Sequence, residues 1–242
     1  MHPHLPVHRI LRVCGIFALL TAALLCSLPA TAANNRVLRA REPNLAILYD
    51  QLITELRRGG TAVFFVPLDS IGIDQTNQPE WWKSCNLSRM ISTHGMEQAK
   101  TINRAISQLE LNIQFVESSE LCSALSTYTF VLGNDRWLRF FVAPSLNPVE
   151  ARRASGVIDQ VTQAQVLGHL QTTFPDSAKF LFGSPLPPSA SPHPIISDLA
   201  PGESAIFRSA HNEEPVLLGR LNWQQWGEMG NYFVAKRERA KK

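Results

Sequence analysis

Cysteine is scarce in this chain, and neither sign of charge is in excess. The 242 residues include four cysteines, and two of them, Cys14 and Cys26, lie in an N-terminal segment that we expect to be removed. The 23 basic and 20 acidic residues nearly balance, which argues against a dedicated nucleic-acid-binding protein. Beyond the N-terminal segment, no histidine has a second histidine at the i, i+4 or His-x-His spacing of a metal site. We therefore predict no metal and no other cofactor.

Long apolar runs are also missing beyond the N-terminus. Residues 13–28 form one apolar run, which is shorter than the roughly 20 residues that a membrane-spanning helix needs. Arg9 and Arg12 precede it, and Ala30-Thr31-Ala32 follows it as a small-residue cleavage site. The sequence therefore predicts a signal peptide over residues 1–32 and an exported protein, periplasmic or secreted, with no stable membrane span after cleavage. The alternative is an uncleaved N-terminal anchor.

Apolar spacing predicts helices that alternate with strands. Apolar residues recur at helical spacing up to Leu56, Gly59-Gly60 ends that helix, and residues 61–66 form a continuous apolar run typical of a strand buried on both faces. Ser92 is a candidate N-cap for a second helix, which carries an apolar face over residues 99–109. This alternation predicts an α/β domain with a mainly parallel sheet.

Four further predictions concern the later elements, the domain and the C-terminal tail. Residues 128–132 or 139–142 are candidate strands, and one face of a later helix is assigned to Val157, Val161, Leu170 and Phe174. A single domain is predicted over residues 33–234. The basic residues of the segment 235–242 are interpreted as a solvated, frayed tail.

Two blocks of residues resemble a known family. The first is Leu56-Arg-Arg-Gly-Gly followed by the apolar strand, and the second runs from Cys85-Asn-Leu-Ser-Arg89 to Val116-Glu-Ser-Ser-Glu-Leu-Cys122. In order and spacing, these blocks resemble the exported branch of the histidine phosphatase superfamily. Members of this superfamily are also called phosphoglycerate mutase-like. The resemblance runs from about residue 52 to residue 226. It implies a three-layer α/β sandwich with a mainly parallel central sheet flanked by helices.

Cys85 and Cys122 are the two cysteines that remain after the predicted cleavage. An even number of cysteines in an exported chain suggests a disulfide. The resemblance implies the same pairing, because the family pattern has cysteines at both places. The alternative from the residues alone is two separate buried thiols.

The resemblance also implies a phosphatase site whose key residues are replaced here. Family members use a histidine nucleophile that follows an arginine at the end of the first strand, and this chain has Pro67 after Val66 at those positions. Proline has neither a nucleophilic side chain nor a backbone N–H. The glycine that follows the nucleophile in the family is replaced by Leu68.

The residues that would hold the phosphate are largely replaced too. By the same resemblance, one pocket arginine is kept as Arg89, another is replaced by Ser123, and the second histidine is replaced by Ser184. Ser184 has no Gly-x-Ser-x-Gly elbow, so a serine hydrolase built on it is not expected. The chain is therefore expected to be catalytically inactive and to act as a binding or interaction protein with a remodelled phosphate pocket. An anionic small ligand or an envelope protein is the expected partner.

The candidate ligand-binding residues are Val66, Trp82, Arg89, Ser123 and Ser184. Trp82 follows Trp81 in a polar loop, and the pair is interpreted either as an aromatic platform for a ligand or as a plug for the emptied pocket. The alternative function is a divergent phosphomonoesterase that uses a nucleophile foreign to the family. Asp69 is the candidate substitute, and the other interpretation of Asp69 is a turn-forming residue at the strand end.

Overall fold

The computed structural model describes residues 42–133, 138–172, 174–209 and 213–242. The predicted signal peptide, residues 1–32, lies outside this described part of the chain. Within the described part, no helix is both long and apolar enough to cross a membrane. The same part contains seven α-helices and eight strands.

The elements alternate along the chain as the sequence predicts. The helices are α1 (Glu42–Arg58), α2 (Thr93–Leu109), α3 (Cys122–Leu132), α4 (Val149–Ala154), α5 (Asp159–Gln171), α6 (Pro194–Ser197) and α7 (Trp223–Ala240). The strands are β1 (Thr61–Phe65), β2 (Ser70–Ile71), β3 (Met90–Ile91), β4 (Ile113–Ser118), β5 (Arg139–Val142), β6 (Ala178–Phe182), β7 (Ser204–Arg208) and β8 (Val216–Leu221). Two short 3₁₀ turns cover Trp81–Lys83 and Pro144–Leu146.

Six strands form one sheet in the order β5-β4-β6-β1-β7-β8. The four strands from β5 to β1 are parallel, whereas β7 runs antiparallel to β1 and β8 antiparallel to β7. Because β1 lies between β6 and β7, every residue of Thr61–Phe65 is buried. This central position explains the uninterrupted apolar run, since a strand covered on both faces has no solvent-facing side. The short strands β2 and β3 form a separate antiparallel ribbon.

Helices cover both faces of the sheet and give the chain three layers. On one face, Leu52 of α1 and Trp226 of α7 belong to one buried cluster with Phe65. On the other face, Val166 of α5 belongs to a second buried cluster with Phe64. Neighbouring residues of a strand point to opposite faces, so β1 contributes to both clusters. The predicted α/β sandwich with a mainly parallel central sheet is confirmed.

Of the two candidate strands in the second half of the chain, one is confirmed, and the predicted face of the later helix is wrong in detail. Residues 128–132 belong to α3, whereas residues 139–142 form β5. The residues of α3 are largely apolar on all sides, so their spacing does not separate a helix from a strand. Helix α5 buries Thr162, Val166 and Leu170, while Val161 is exposed. The predicted face of that helix is therefore rotated, and residues 157 and 174 lie outside it.

The C-terminal segment is helical to Ala240. Helix α7 begins with a reciprocal capping box between Asn222 and Gln225, which satisfies free backbone N–H groups at its start. Farther along, Lys236 forms an ion pair with Asp50 of α1, with a Nζ–Oδ1 distance of 2.6 Å. The expected boundary at residue 234 thus falls inside a helix whose basic end is solvated but ordered against its neighbours.

Candidate functional site

The end of β1, where the resemblance places a nucleophile, is closed by backbone hydrogen bonds. The N–H of Val66 donates to the carbonyl of Glu203 at 3.0 Å, and the carbonyl of Pro67 accepts from the N–H of Gly202 at 3.0 Å. Both Val66 and Pro67 are buried, and Val66 packs in the cluster beneath α5. An apolar side chain and a proline ring therefore lie where the resemblance implies an arginine and a histidine, and both lie inside the protein.

Leu68 continues this buried segment and joins it to α3. Its side chain is 1% exposed and belongs to the cluster that contains Trp226. Its N–H donates to the hydroxyl of Thr127 at 3.1 Å, and that hydroxyl donates to the carbonyl of Ser123 at 2.7 Å. Ser123 is itself buried, in the first turn of α3. The structure thus brings Ser123 next to the end of β1, as the resemblance implies.

Ser184 also lies beside the end of β1. The N–H of Gly183 donates to the carbonyl of Phe65 at 3.0 Å, and the N–H of Ser184 donates to the carbonyl of Leu146 at 3.1 Å. Ser184 is buried. A Cβ on Gly183 would lie 2.9 Å from the Cβ of Leu146, so the backbone here is packed tightly. The serines predicted for the pocket are assembled, but they are packed into protein.

Asp69, the candidate substitute nucleophile, holds the start of α2. Its carboxylate accepts a short hydrogen bond from the hydroxyl of Ser92, and its backbone carbonyl accepts from the N–H of Ser92 at 2.9 Å. The Ser92 hydroxyl accepts in turn from the N–H of Gly95, which confirms Ser92 as the N-cap. These contacts support the interpretation of Asp69 as a turn residue that secures a helix cap.

Arg89, the arginine kept from the family pattern, is engaged by Asp74. Its Nε lies 2.9 Å from Oδ2 of Asp74, and its backbone N–H donates to Oδ1 of the same carboxylate at 2.8 Å. Arg89 directly precedes β3 on the ribbon, and its side chain is half exposed. An anion that binds Arg89 therefore competes with a carboxylate already in place.

Trp81 and Trp82 are both buried in the cluster that contains Leu68. Their rings meet edge to face, with centroids 6.1 Å apart, and the indole N–H of Trp82 donates to the carboxylate of Glu120 at 3.2 Å. Neither ring offers an exposed face, so an aromatic ligand platform does not form here. The predicted pairing of the nearby cysteines is present as a disulfide between Cys85 and Cys122, which joins this loop to the first residue of α3.

A second polar cluster, which the sequence patterns do not predict, lies on the sheet face covered by α5. Glu117 of β4 and Lys179 of β6 form an ion pair with an Oε1–Nζ distance of 2.8 Å. His169 of α5 places Nδ1 2.6 Å from Oε2 of Glu117 and Nε2 2.9 Å from Oγ of Ser145. All four side chains line a cleft of about 490 Å³. The nearest sequence signal is His169, and nothing in its spacing indicates these partners.

The charge of Glu117 is set by its burial and by its contacts with His169 and Lys179. Burial by itself raises the pKa of this carboxyl, but the contacts with His169 and Lys179 lower it by more. The net pKa of Glu117 therefore falls below its ordinary value of 4.5. At neutral pH the cluster contains a carboxylate anion between an ammonium and an imidazole.

No protein-family model and no curated protein matches this chain. Among solved structures, it is similar to the protein histidine phosphatase SixA complexed with tungstate, at 13% identity and a TM-score of 0.44, over 68% of this chain and 97% of that one. It is also similar to the alpha-ribazole phosphatase from Shigella flexneri, at 13% identity and a TM-score of 0.43, over 65% and 94%. A third is the phosphoserine phosphatase from Entamoeba histolytica in complex with 3-phosphoglyceric acid, at 12% identity and a TM-score of 0.42, over 69% and 98%. These neighbours are members of the histidine phosphatase superfamily, the family that the sequence blocks resemble.

Proposed function

We propose that this chain is an exported, histidine phosphatase-like protein that binds another molecule and does not transfer phosphoryl groups. The observation that carries the proposal is the buried segment Val66-Pro67-Leu68 at the end of β1. Phosphoryl transfer through a covalent intermediate needs a nucleophile that the substrate can reach. Loss of such a nucleophile lowers the rate by on the order of 10³–10⁶-fold, and no nucleophilic side chain takes its place within this segment.

The charges around the strand end also disfavour a bound phosphate ester. The transferring phosphoryl group carries negative charge, which enzymes stabilise with fixed cationic and hydrogen-bonding groups. Ser123 and Ser184 are neutral, and Arg89 already pairs with Asp74. We therefore expect weak binding of an anionic ligand at Arg89, limited by competition with that carboxylate.

The ribbon of β2 and β3 supports the choice of a protein partner. Ile71 and Met90 are opposite each other in its register, and they are 69% and 46% exposed. Ile73, just beyond β2, is 82% exposed. Opposed residues of an antiparallel pair share a face, and exposed apolar residues that are close together are typical of an interaction site. We name these three residues the ribbon patch and assign to it the contact with an envelope protein.

Hydrolysis of p-nitrophenyl phosphate tests the loss of phosphoryl transfer. The purified chain is expected to release no more phosphate than the same chain after heat denaturation. The matched variant is Asp69→Asn, which keeps an oxygen that can accept from Ser92. If the chain releases phosphate and Asp69→Asn abolishes the release, the chain is instead a divergent phosphomonoesterase that uses Asp69.

Capture of envelope proteins on the immobilised chain tests the ribbon patch. Ile73→Asp places a charge in the patch and is expected to abolish capture of the partner. Ile47→Asp is the matched control, because Ile47 is also an exposed isoleucine, at 58%, but lies on α1. Equal capture by both variants would show that the partner does not bind through the ribbon patch.

A further inference from the structure

The cleft beside α5 contains a serine, a histidine and a carboxylate in series. Oγ of Ser145 lies 2.9 Å from Nε2 of His169, and Nδ1 of the same ring lies 2.6 Å from Oε2 of Glu117. A nucleophilic hydroxyl, a base within hydrogen-bond reach and an acid that orients the base are the three parts of serine acyl-transfer sites on unrelated folds. We propose that Ser145 is an activated nucleophile and that this cleft hydrolyses small carboxylic esters.

Each partner of His169 suits the role that the proposal gives to the imidazole. The ring nitrogen that faces Ser145 must be unprotonated to accept the hydroxyl proton, and Glu117 favours the tautomer that has its proton on Nδ1. Oε2 of Glu117 lies 2.6 Å from Nδ1 but off the axis of the ring N–H, so Glu117 orients the ring by its negative charge and not by a linear hydrogen bond.

Lys179 holds the acid and the histidine backbone in place. Its Nζ lies 2.8 Å from Oε1 of Glu117 and donates to the carbonyl of His169 at 3.1 Å. Because Lys179 is 2% exposed, water screens this ammonium little, and the carboxylate is strongly favoured in its charged form. Lys179 is therefore a positioning residue, which fixes Glu117 beneath the imidazole.

The turn that carries Ser145 is anchored at its C-terminal end, at Asn147. The guanidinium of Arg152, which is buried, donates to the carbonyl of Asn147 at 3.3 Å. The side chain of Asn147 donates to the carboxylate of Glu120 at 2.8 Å and accepts from the backbone N–H of Glu120 at 2.8 Å. A nucleophile on a turn fixed in this way loses little conformational freedom when a substrate binds, which is the condition for efficient attack.

The size and lining of the cleft indicate the class of substrate. Its volume of about 490 Å³ falls within the range of small-molecule sites. Ser145 is buried, at 5% exposure, and a substrate reaches its hydroxyl from this cleft. Val142, Ala143, Pro144 and Val157 supply apolar lining next to it. An ester with a short apolar acyl group fits this lining, because burial of each CH₂ group is favourable by about 0.8 kcal/mol.

The reaction balances without an oxidant, a reductant or a metal ion. Oγ of Ser145 attacks the ester carbonyl carbon while its proton passes to Nε2 of His169. The bond from that carbon to the alcohol oxygen breaks, His169 returns the proton to the alcohol, and an acyl-serine remains. Water then gives a proton to His169 and attacks the acyl-serine, and the carboxylic acid leaves as the proton returns to Ser145. One ester and one water become one acid and one alcohol.

Labelling of the purified chain with an alkyl fluorophosphonate tests the proposal. The expected result is one adduct per chain, located by peptide mass spectrometry on the peptide that contains Ser145. Ser145→Ala is expected to carry no adduct, and His169→Gln is expected to react slower by on the order of 10²-fold. Ser155→Ala is the matched control, because the Ser155 hydroxyl donates only to the backbone carbonyl of Ala151, and it should label like the natural chain.

Three outcomes would overturn the proposal: no adduct on the natural chain, an adduct that persists in Ser145→Ala, or an unchanged rate in a folded His169→Gln variant. If circular dichroism shows that His169→Gln does not fold, Glu117→Gln decides instead. It should also slow labelling, because a neutral amide orients the imidazole less than a carboxylate does. An unchanged labelling rate in a folded Glu117→Gln variant would equally overturn the proposal. Ester hydrolysis at Ser145 is separate from the proposed function. Phosphate release and Ser145 labelling are independent measurements, so one proposal can be refuted without the other.

Discussion

Lys179→Met is the variant whose effect on stability the structure predicts most directly. The substitution keeps the length and the apolar stem of the side chain but removes the ammonium that faces Glu117. Glu117 is 14% exposed, and it would keep only the contact with His169. The free energy of unfolding should fall because a carboxylate would remain largely buried without the ammonium that pairs with it.

The size of the expected loss in unfolding free energy follows from the burial of the Glu117–Lys179 pair. Removal of one partner from a buried ion pair costs about 3–5 kcal/mol. The contact with His169 and the residual exposure of Glu117 place this variant near the lower end, at about 3 kcal/mol. In a domain of this size, a loss of 1 kcal/mol lowers the midpoint of thermal unfolding by about 2–4 °C, so a decrease of about 6–12 °C is expected.

Lys100→Met is the matched control for this experiment. Lys100 forms an ion pair with Glu97 at 2.6 Å, which is shorter than the buried pair, but both side chains are more than 60% exposed. Exposed pairs contribute about 0–1 kcal/mol, so Lys100→Met should change the free energy of unfolding by no more than about 0.5 kcal/mol. The comparison separates the effect of burial from the effect of distance.

Denaturant unfolding followed by tryptophan fluorescence is the assay, because Trp226 is fully buried and reports loss of the core. The double variant Glu117→Gln/Lys179→Met should be more stable than Lys179→Met alone, since it removes the unpaired charge. Equal losses for Lys179→Met and Lys100→Met would refute the reasoning, as would a double variant less stable than Lys179→Met.

Three further predictions use the same unfolding assay. The pKa of Glu117 is lowered in the folded chain, so its contribution to stability is present above the ordinary carboxyl pKa and is lost as the pH falls through the folded pKa. Glu117→Gln should therefore reduce the loss of stability at acid pH. An unchanged loss of stability at acid pH would contradict the assignment. Gly95→Ala should lower the free energy of unfolding by about 1–3 kcal/mol, because a Cβ there overlaps the backbone carbonyl of the preceding loop. Gly168→Ala, in open space within α5, should raise it by about 0.5–1 kcal/mol. A loss of stability in both variants would show that the contact at Gly95 is not the cause. Reduction of the disulfide between Cys85 and Cys122, 37 residues apart, should lower the free energy of unfolding by about 4 kcal/mol in the chain-entropy account, and a change below about 1 kcal/mol would count against that account.

Much of the α/β architecture could be predicted from local patterns. The helix that ends at Gly59, the buried run of β1 and the Ser92 cap all occur as expected, because each depends on residues within one or two turns of each other. The prediction of a strand over residues 128–132 is wrong because α3 is apolar on several sides, and only packing against α2 and β3 decides its conformation.

The positions of Ser123 and Ser184 near the strand end could be expected from the sequence, whereas their accessibility could not. The resemblance places Ser123 and Ser184 beside the end of β1, and the structure brings both there. Their burial, and the pairing of Arg89 with Asp74, depend on how loops from distant parts of the chain close over that edge. A sequence pattern does not indicate which carboxylate pairs with a given arginine in the folded chain.

By itself, the sequence determined that β1 would be buried and that its end would hold Val66 and Pro67 where the family has an arginine and a histidine, since both facts concern consecutive residues. Only the tertiary structure decided that Ser145, His169 and Glu117 meet in one cleft. They come from a 3₁₀ turn, a helix and a strand, and 24 residues separate the serine from the histidine. The parallel sheet and the helix packed on it bring these side chains within hydrogen-bond reach, because strand register and helix packing place residues in space regardless of their separation along the chain.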